Sequence, residues 1–134
     1  MWEMIATAVR IADWNETPEQ EFDDGSKITR AHVTLTEGTD ELTAGTLDMT
    51  LFYRPDGTGA FSSLMRLTAE IAGRPGTFAL SGTGGFNDVA SLNLMNIIHS
   101  SGTGELAGIS GHFESNSRRT DYPFMRMELR YQLP

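Results

Sequence analysis

The sequence predicts an all-β protein: a single eight-stranded antiparallel β-barrel, one domain over residues 1–134. Three observations carry this expectation. Apolar residues alternate with polar or small ones in many short stretches, the period of a half-buried strand. Turn chemistry separates these stretches at short intervals. No window of about twelve residues shows an apolar stripe of helical period with caps. Many short strands without helices imply a sandwich or a closed barrel, and closure leaves no unpaired edge. About eight strands is also the number at which a barrel is just filled or holds one small ligand.

The strands follow in order. Ile5, Thr7, Val9 and Ile11 share one face of the first, and Ala31, Val33 and Leu35 one face of the second. Leu47, Met49, Leu51 and Tyr53 mark the third. Phe61, Ser63, Met65, Leu67, Ala69 and Ile71 mark the fourth, where Leu-Met-Arg-Leu could suggest a helix but no clean stripe supports one. Phe78 and Leu80 lie in the fifth, Leu92 to Ile98 form the sixth and Leu106 to Phe113 the seventh. Met125, Met127, Leu129, Tyr131 and Leu133 close the series. Asp24-Gly25 and Asp56-Gly57 suit hairpin turns with positive φ, and Gly73-Arg-Pro-Gly76 is a strong breaker. Gly-Thr pairs at 38, 45, 57, 76, 82 and 102 read as turns followed by a β-branched strand start. The two SGTG segments, at Ser81 and Ser101, read as similar strand-flanking turns.

Composition excludes several chemistries. The chain lacks cysteine, which removes disulfides, thiolate nucleophiles and Cys-ligated metal sites. A net charge of −8 argues against binding a phosphate backbone. No run of about 18 apolar residues suggests a membrane span, and the first residues lack the pattern of a secretory signal, so a cytoplasmic protein is expected. Lys27 is the one lysine among ten basic residues and lies in the turn-like DDGSK, a poor setting for a Schiff base. Neither a cofactor nor a metal is expected: Ser101-Gly-Thr-Gly-Glu-Leu-Ala-Gly108 has the wrong glycine spacing for a dinucleotide loop, and His32, His99 and His112 form no ligand pair.

The remaining polar candidates are few. The carboxylates of Glu16 to Asp24 and Glu37 to Glu41 read as solvated loops. Glu105 differs. If Ala107, Ile109 and Phe113 point inward, Glu105 shares their face and could serve as general acid or base; in the opposite register Leu106 points inward and Glu105 lies in water. Tyr53 and Tyr131 lie on apolar faces and can aim hydroxyls into a cavity, and His99 precedes a turn that could face a barrel mouth. His32 falls on the polar face of its strand. Five methionines within strands, Met49 and Met65 among them, suit either core filling or an adaptable pocket.

Asp13-Trp14-Asn15-Glu16, Gly73-Arg74-Pro75-Gly76-Thr77-Phe78, Ser101 to Gly111 and Leu129-Arg130-Tyr131-Gln132-Leu133 occur in an order that resembles the bacterial family called domain of unknown function 3224. The resemblance spans nearly the whole chain, with SGTGELAG its most specific block. It implies a fold similar to allene oxide cyclase, a small eight-stranded barrel with a central cavity. Relatives of that barrel include cyclases and isomerases of hydrophobic substrates, and confinement supplies much of their effect. The resemblance therefore implies a cofactor-independent cyclase or isomerase acting on a polyketide-, fatty-acid- or terpenoid-like molecule. The alternatives are a non-catalytic binder of such a molecule, or a packed barrel with a protein-interaction role. Catalytic candidates are Glu105, Tyr53, Tyr131 and His99; lining candidates are Trp14, Met49, Phe61, Ser63, Met65, Phe78 and Met127. A homodimer is the expected assembly. The sequence departs from the family pattern at Phe61, Ser63 and Met65, where members tend to carry tyrosine, glycine and glutamate, and at His99-Ser100, where they carry proline.

Overall fold

The computed structural model describes residues 2–36 and 41–134, which form one antiparallel sheet closed into a ring. Its strands are β1 (Glu3–Glu21), β2 (Lys27–Thr36), β3 (Leu42–Tyr53), β4 (Gly59–Ile71), β5 (Arg74–Phe86), β6 (Ala90–Ile97), β7 (Ser110–Arg118) and β8 (Phe124–Gln132). Each strand pairs with its sequence neighbour, and the β1–β8 ladder, from Glu3 opposite Tyr131 to Arg10 opposite Phe124, completes the circuit. Closure gives every strand a partner on each side. The charge run at Glu37 to Glu41 falls outside the described residues apart from Glu41, as does the Gly38-Thr39 pair.

The alternation in the sequence marks the inward set. Val9, Val33, Leu35, Met65, Leu67, Phe78, Leu80, Phe113 and Leu129 are all essentially buried. Their neighbours along each strand face water, as in residues Gly59–Ile71, where buried and outward positions alternate without a break. Asp24 and Asp56 each accept hydrogen bonds from the residue two positions on, and Gly25 and Gly57 adopt φ of +91° and +87°, so both hairpins turn where expected.

Other glycines do something different. Gly45, Gly76 and Gly82 lie inside strands, and Ser81 to Gly84 is part of β5, so these are not turn markers. A Cβ at Gly82 would sit 1.9 Å from the Leu94 carbonyl oxygen, so glycine here permits close approach between β5 and β6. The turn between β4 and β5 falls at Ala72-Gly73, ahead of the Arg-Pro-Gly segment, which already belongs to β5.

The seventh strand begins later than its apolar pattern suggests. Residues Gly104–Leu106 form a single 3-10 turn, and the chain from Ile98 to Ile109 folds across one end of the ring. This connection is held along the part of β5 that β6 does not reach. Thr103 N–H donates to the Thr77 carbonyl at 2.8 Å, Thr77 N–H donates to Thr103 Oγ1 at 3.1 Å, and Ala79 N–H donates to Ser101 Oγ at 3.1 Å. Leu106 and Ile109 are buried and plug that end. Leu106 thus points inward and Glu105 outward, so the register that would have made Glu105 an interior acid or base is not adopted.

The opposite end is open. The β7–β8 ladder runs only from Ser110 opposite Gln132 to Glu114 opposite Glu128, after which the strands part. Beyond that point Ser117 Oγ accepts the Arg126 N–H at 3.0 Å.

The plug makes a direct prediction. Leu106→Ala should cost about 2–5 kcal/mol in chemical denaturation, the usual penalty for truncating a buried leucine. Glu105→Ala should stay within about 0.5 kcal/mol of the parent, as exposed substitutions do. Equal effects at the two positions would contradict the register of the 3-10 turn.

Candidate functional site

A cavity of about 510 Å³ occupies the open end of the ring. Ile11 and Trp14 of β1, Leu47, Met49, Leu51 and Tyr53 of β3, Phe61 of β4, Phe86 of β5 and Met125 of β8 supply its apolar wall. Asn93 and Ser115 add buried polar groups, and Arg118, Arg119 and Tyr122 stand at the rim. Among the described residues neither of these arginines makes an ion pair.

The aromatic wall depends on glycine. A Cβ at Gly59 would lie 2.3 Å from the Phe86 ring, and one at Gly84 would lie 2.5 Å from the Phe61 ring. Both rings thus lie over strand positions that carry no side chain. Phe86 meets Tyr53 edge to face at 5.2 Å between centroids and stacks on Phe61 at 6.4 Å.

A bulge brings a carboxylate to this wall. Ile11 pairs with Leu35, but Asp13 pairs with Thr34, so Ala12 is an extra residue and the facing of β1 switches. Beyond it Trp14 pairs with Val33 and Glu16 with Ala31, both inward residues. Directly opposed residues share a face, so Trp14 and Glu16 turn inward as well. Glu16, read from the sequence as part of a solvated loop, is instead half-buried in a strand. Its carboxylate accepts hydrogen bonds from the Tyr53 hydroxyl, from Thr29 Oγ1 at 2.7 Å and from Trp14 Nε1 at 3.0 Å. Lys27 Nζ lies 4.8 Å from the centre of the Tyr53 ring.

These contacts set the electrostatics. Burial pushes the Glu16 carboxyl up, but the bonds from Tyr53, Thr29 and Trp14, with the Lys27 charge, outweigh it and hold it below the ordinary value. Burial, then the hydrogen bond to Glu16 and its charge, push the Tyr53 phenol up to about 12. At neutral pH the pair is a phenol donating to a carboxylate. Among the described residues no group of three or more His, Asp or Glu side chains converges as a metal site.

The residues expected to form a site divide between the two ends. Tyr53, Trp14, Met49 and Phe61 line the cavity. Ser63 is buried and donates to Asn93 Oδ1 at 3.2 Å. Met65, Phe78 and Met127 are packed in the core and contribute nothing to the cavity wall, because the larger inward residues at their level fill the ring. Tyr131 pairs with Glu3 and Gly111 at the far end, its phenol raised by burial and then by Glu3 and Glu41. His99 and Glu105 are exposed on the connection that closes that far end, so they cannot share a site with Tyr53. His32 is exposed, as expected, and meets Asp48 at 2.6 Å.

The model of the family described as protein of unknown function (DUF3224) matches residues 6–131. The chain belongs to that family. A crystal structure of a DUF3224 protein of unknown function from Shewanella oneidensis MR-1 superposes with a TM-score of 0.71 at 20% identity, covering 98% of this chain and 99% of the other. The two share the fold. No curated protein matches the chain. The SGTGELAG block, the most specific part of the family resemblance, is the connection that braces β5 and plugs the closed end, so its role here is structural.

The Tyr53–Glu16 contact is measurable by phenolate absorbance. Tyr53→Phe should remove a transition near pH 12, and Glu16→Gln should bring Tyr53 only part of the way toward 10, because burial is the larger cause and remains. The raised phenol stabilises the fold fully below its unfolded value, 10.0, and that contribution disappears as pH rises from there through about 12. The lowered Glu16 carboxyl works in the other direction. Its contribution is present above 4.5 and disappears as pH falls through the lower folded value. A Tyr53 transition unmoved by Glu16→Gln would show that the contact does not hold in solution.

Proposed function

We propose that this barrel is a receptor for one small, largely apolar molecule, held between Trp14, Met49, Leu51, Phe61, Phe86 and Met125. The cavity carries this reading: about 510 Å³, walled by aromatic, aliphatic and thioether groups, at the one end of the ring that is not plugged. Sites for small molecules usually measure about 300–1,000 Å³ and are mostly apolar with a few polar groups. Met49 and Met125 can adjust to ligand shape. The likeness to the allene oxide cyclase barrel, implied by the family resemblance, supports the same reading. Arg118 and Arg119 at the rim favour a ligand whose solvent-facing end is anionic.

A cofactor-independent cyclase or isomerase is the second reading, and the Tyr53–Glu16 pair favours it. A phenol hydrogen-bonded to a carboxylate beside an apolar cavity offers a route for moving one proton during ring closure. The protonation properties weigh against it. General acid–base groups work best when they titrate near the operating pH. Here the carboxylate is held low and the phenol is raised to about 12. The pair is therefore better suited to donating and accepting fixed hydrogen bonds, and binding stands first.

An environment-sensitive apolar fluorophore should bind the purified protein with one site and be displaced by medium-chain fatty acids. Ala90→Trp, at the cavity wall, should weaken binding at least about tenfold by filling space while leaving the circular dichroism spectrum unchanged. Unaltered affinity in that variant would place the probe elsewhere and overturn the reading. For the catalytic alternative, Tyr53→Phe should reduce turnover of a genuine substrate by about 10²-fold with binding intact.

A further inference from the structure

Polar side chains interrupt the apolar wall at the floor of the cavity. Asn93 and Ser115 line it and Ser63 lies beside them, with only 6%, 3% and 7% of their surfaces exposed. Asn93 on β6 sits between Gly84 of β5 and Ser115 of β7. Its Oδ1 accepts the Ser63 hydroxyl at 3.2 Å, and among the described residues its Nδ2 has one partner, the Met95 sulfur at 3.5 Å. A thioether is a weak acceptor. This orientation sets the carboxamide oxygen on the Ser63 hydroxyl and the amide on the sulfur; turning it over would set its oxygen against the sulfur, both acceptors. Ser115 Oγ has only a long contact to Ser117 Oγ at 3.4 Å.

A carboxamide donor in an apolar wall without a good acceptor is unfavourable, and an acceptor brought in by a ligand relieves the deficit. Among the described residues no other acceptor is bonded to this amide, Ser115 Oγ included. Gly84 offers no side chain, and the ring next to it belongs to Phe61. We propose that Asn93 is a specificity-determining residue that donates to a carbonyl oxygen at the buried end of the ligand. The ligand class is then an apolar carbonyl compound, a ketone, ester or lactone, in preference to a hydrocarbon of the same shape. This rests on the receptor reading above and makes it more specific.

The test uses two probes of nearly equal size, 2-acetylnaphthalene and 2-ethylnaphthalene, which differ by one carbonyl. An apolar cavity lacking a donor prefers the ethyl compound, because the ketone must give up its hydration. The wild-type protein should instead favour the ketone by about fivefold or more, the usual scale of a hydrogen bond to a buried donor. Asn93→Leu, similar in size, should abolish or reverse that preference while still binding the ethyl compound. Two measurements on the unaltered protein stand even if the variant misfolds. The ketone should shift the Asn93 side-chain amide resonances and lower the carbonyl stretching frequency of the bound probe. Binding of both probes with equal affinity and an unmoved Asn93 resonance would overturn this inference and leave the receptor reading intact. Binding of neither probe would overturn both.

Discussion

The width of an eight-stranded ring is nearly fixed by its strand number and tilt, so the size of the inward residues at each level decides whether that level is core or cavity. At the closed end the inward set is large: Leu35, Leu42, Leu67, Ile71, Phe78 and Leu129 are buried, and Leu106 and Ile109 enter from the connection. At the open end β5 carries Gly84, and the inward or cavity-facing residues of β6 and β7 include Ser91, Asn93, Ser115 and Ser117. These small side chains cannot span the lumen. Phe61 and Phe86 occupy part of the space by leaning over glycines, and about 510 Å³ remains. The β7–β8 ladder also ends partway along, so the ring is least tightly closed where its filling is smallest.

The single extra residue at Ala12 has consequences beyond local geometry. Without it β1 would keep the parity of Ile5, Val9 and Ile11, and Trp14 and Glu16 would face water. With it Trp14 joins the wall, and Glu16 turns to the same side behind Tyr53 and gains three donors that hold it ionised despite partial burial. Bulges commonly re-aim side chains at barrel rims, and this one re-aims Trp14 onto the cavity wall. Tyr53 gains a fixed acceptor from the same displacement, so its phenol is oriented as well as raised.

The fold was legible because alternation is a local property. Each strand displays it independently, and a stretch such as Phe61 to Ile71 shows its facing without knowledge of any partner. Of the cavity, Tyr53, Met49 and Phe61 were legible for the same reason, whereas the parity of Ile5, Val9 and Ile11 alone would have turned Trp14 outward. Glu16 was not, because a bulge is set by pairing with β2, and a carboxylate in an acidic run looks like a solvated one. Asn93 was hidden inside an apolar stretch, although its odd position beside Met95 and Ile97 would have placed it inward. Glu105 misled in the opposite sense. Extending strand alternation back through Leu106 ignored the glycines at 102, 104 and 108, which allow the chain to leave the sheet and turn across its end, two of them with positive φ. The Gly-Thr pairs misled similarly, since a glycine needed for close strand approach and one needed for a turn look alike in sequence.

The segment that best marks the family and the residues that would choose a ligand lie at opposite ends of the barrel. SGTGELAG braces β5 and plugs the closed end, away from the cavity. Of the departures from the family pattern that the resemblance implies, those at positions 61, 63 and 65 differ in consequence. Phe61 reaches the cavity, Ser63 reaches it only through Asn93, and Met65 does not reach it at all. Position 65 lies between Leu47 and Leu80 in the ladders, wholly enclosed by apolar neighbours. A carboxylate there would lose its hydration with no partner in view, whereas methionine fills the same space at no such penalty. The polar character of this level is carried by Ser63 and Asn93, neutral groups that can be buried once hydrogen-bonded. Under the proposed receptor reading, a wall of that kind would discriminate by shape and by a single acceptor in the ligand, the chemistry of selective retention more than of proton transfer.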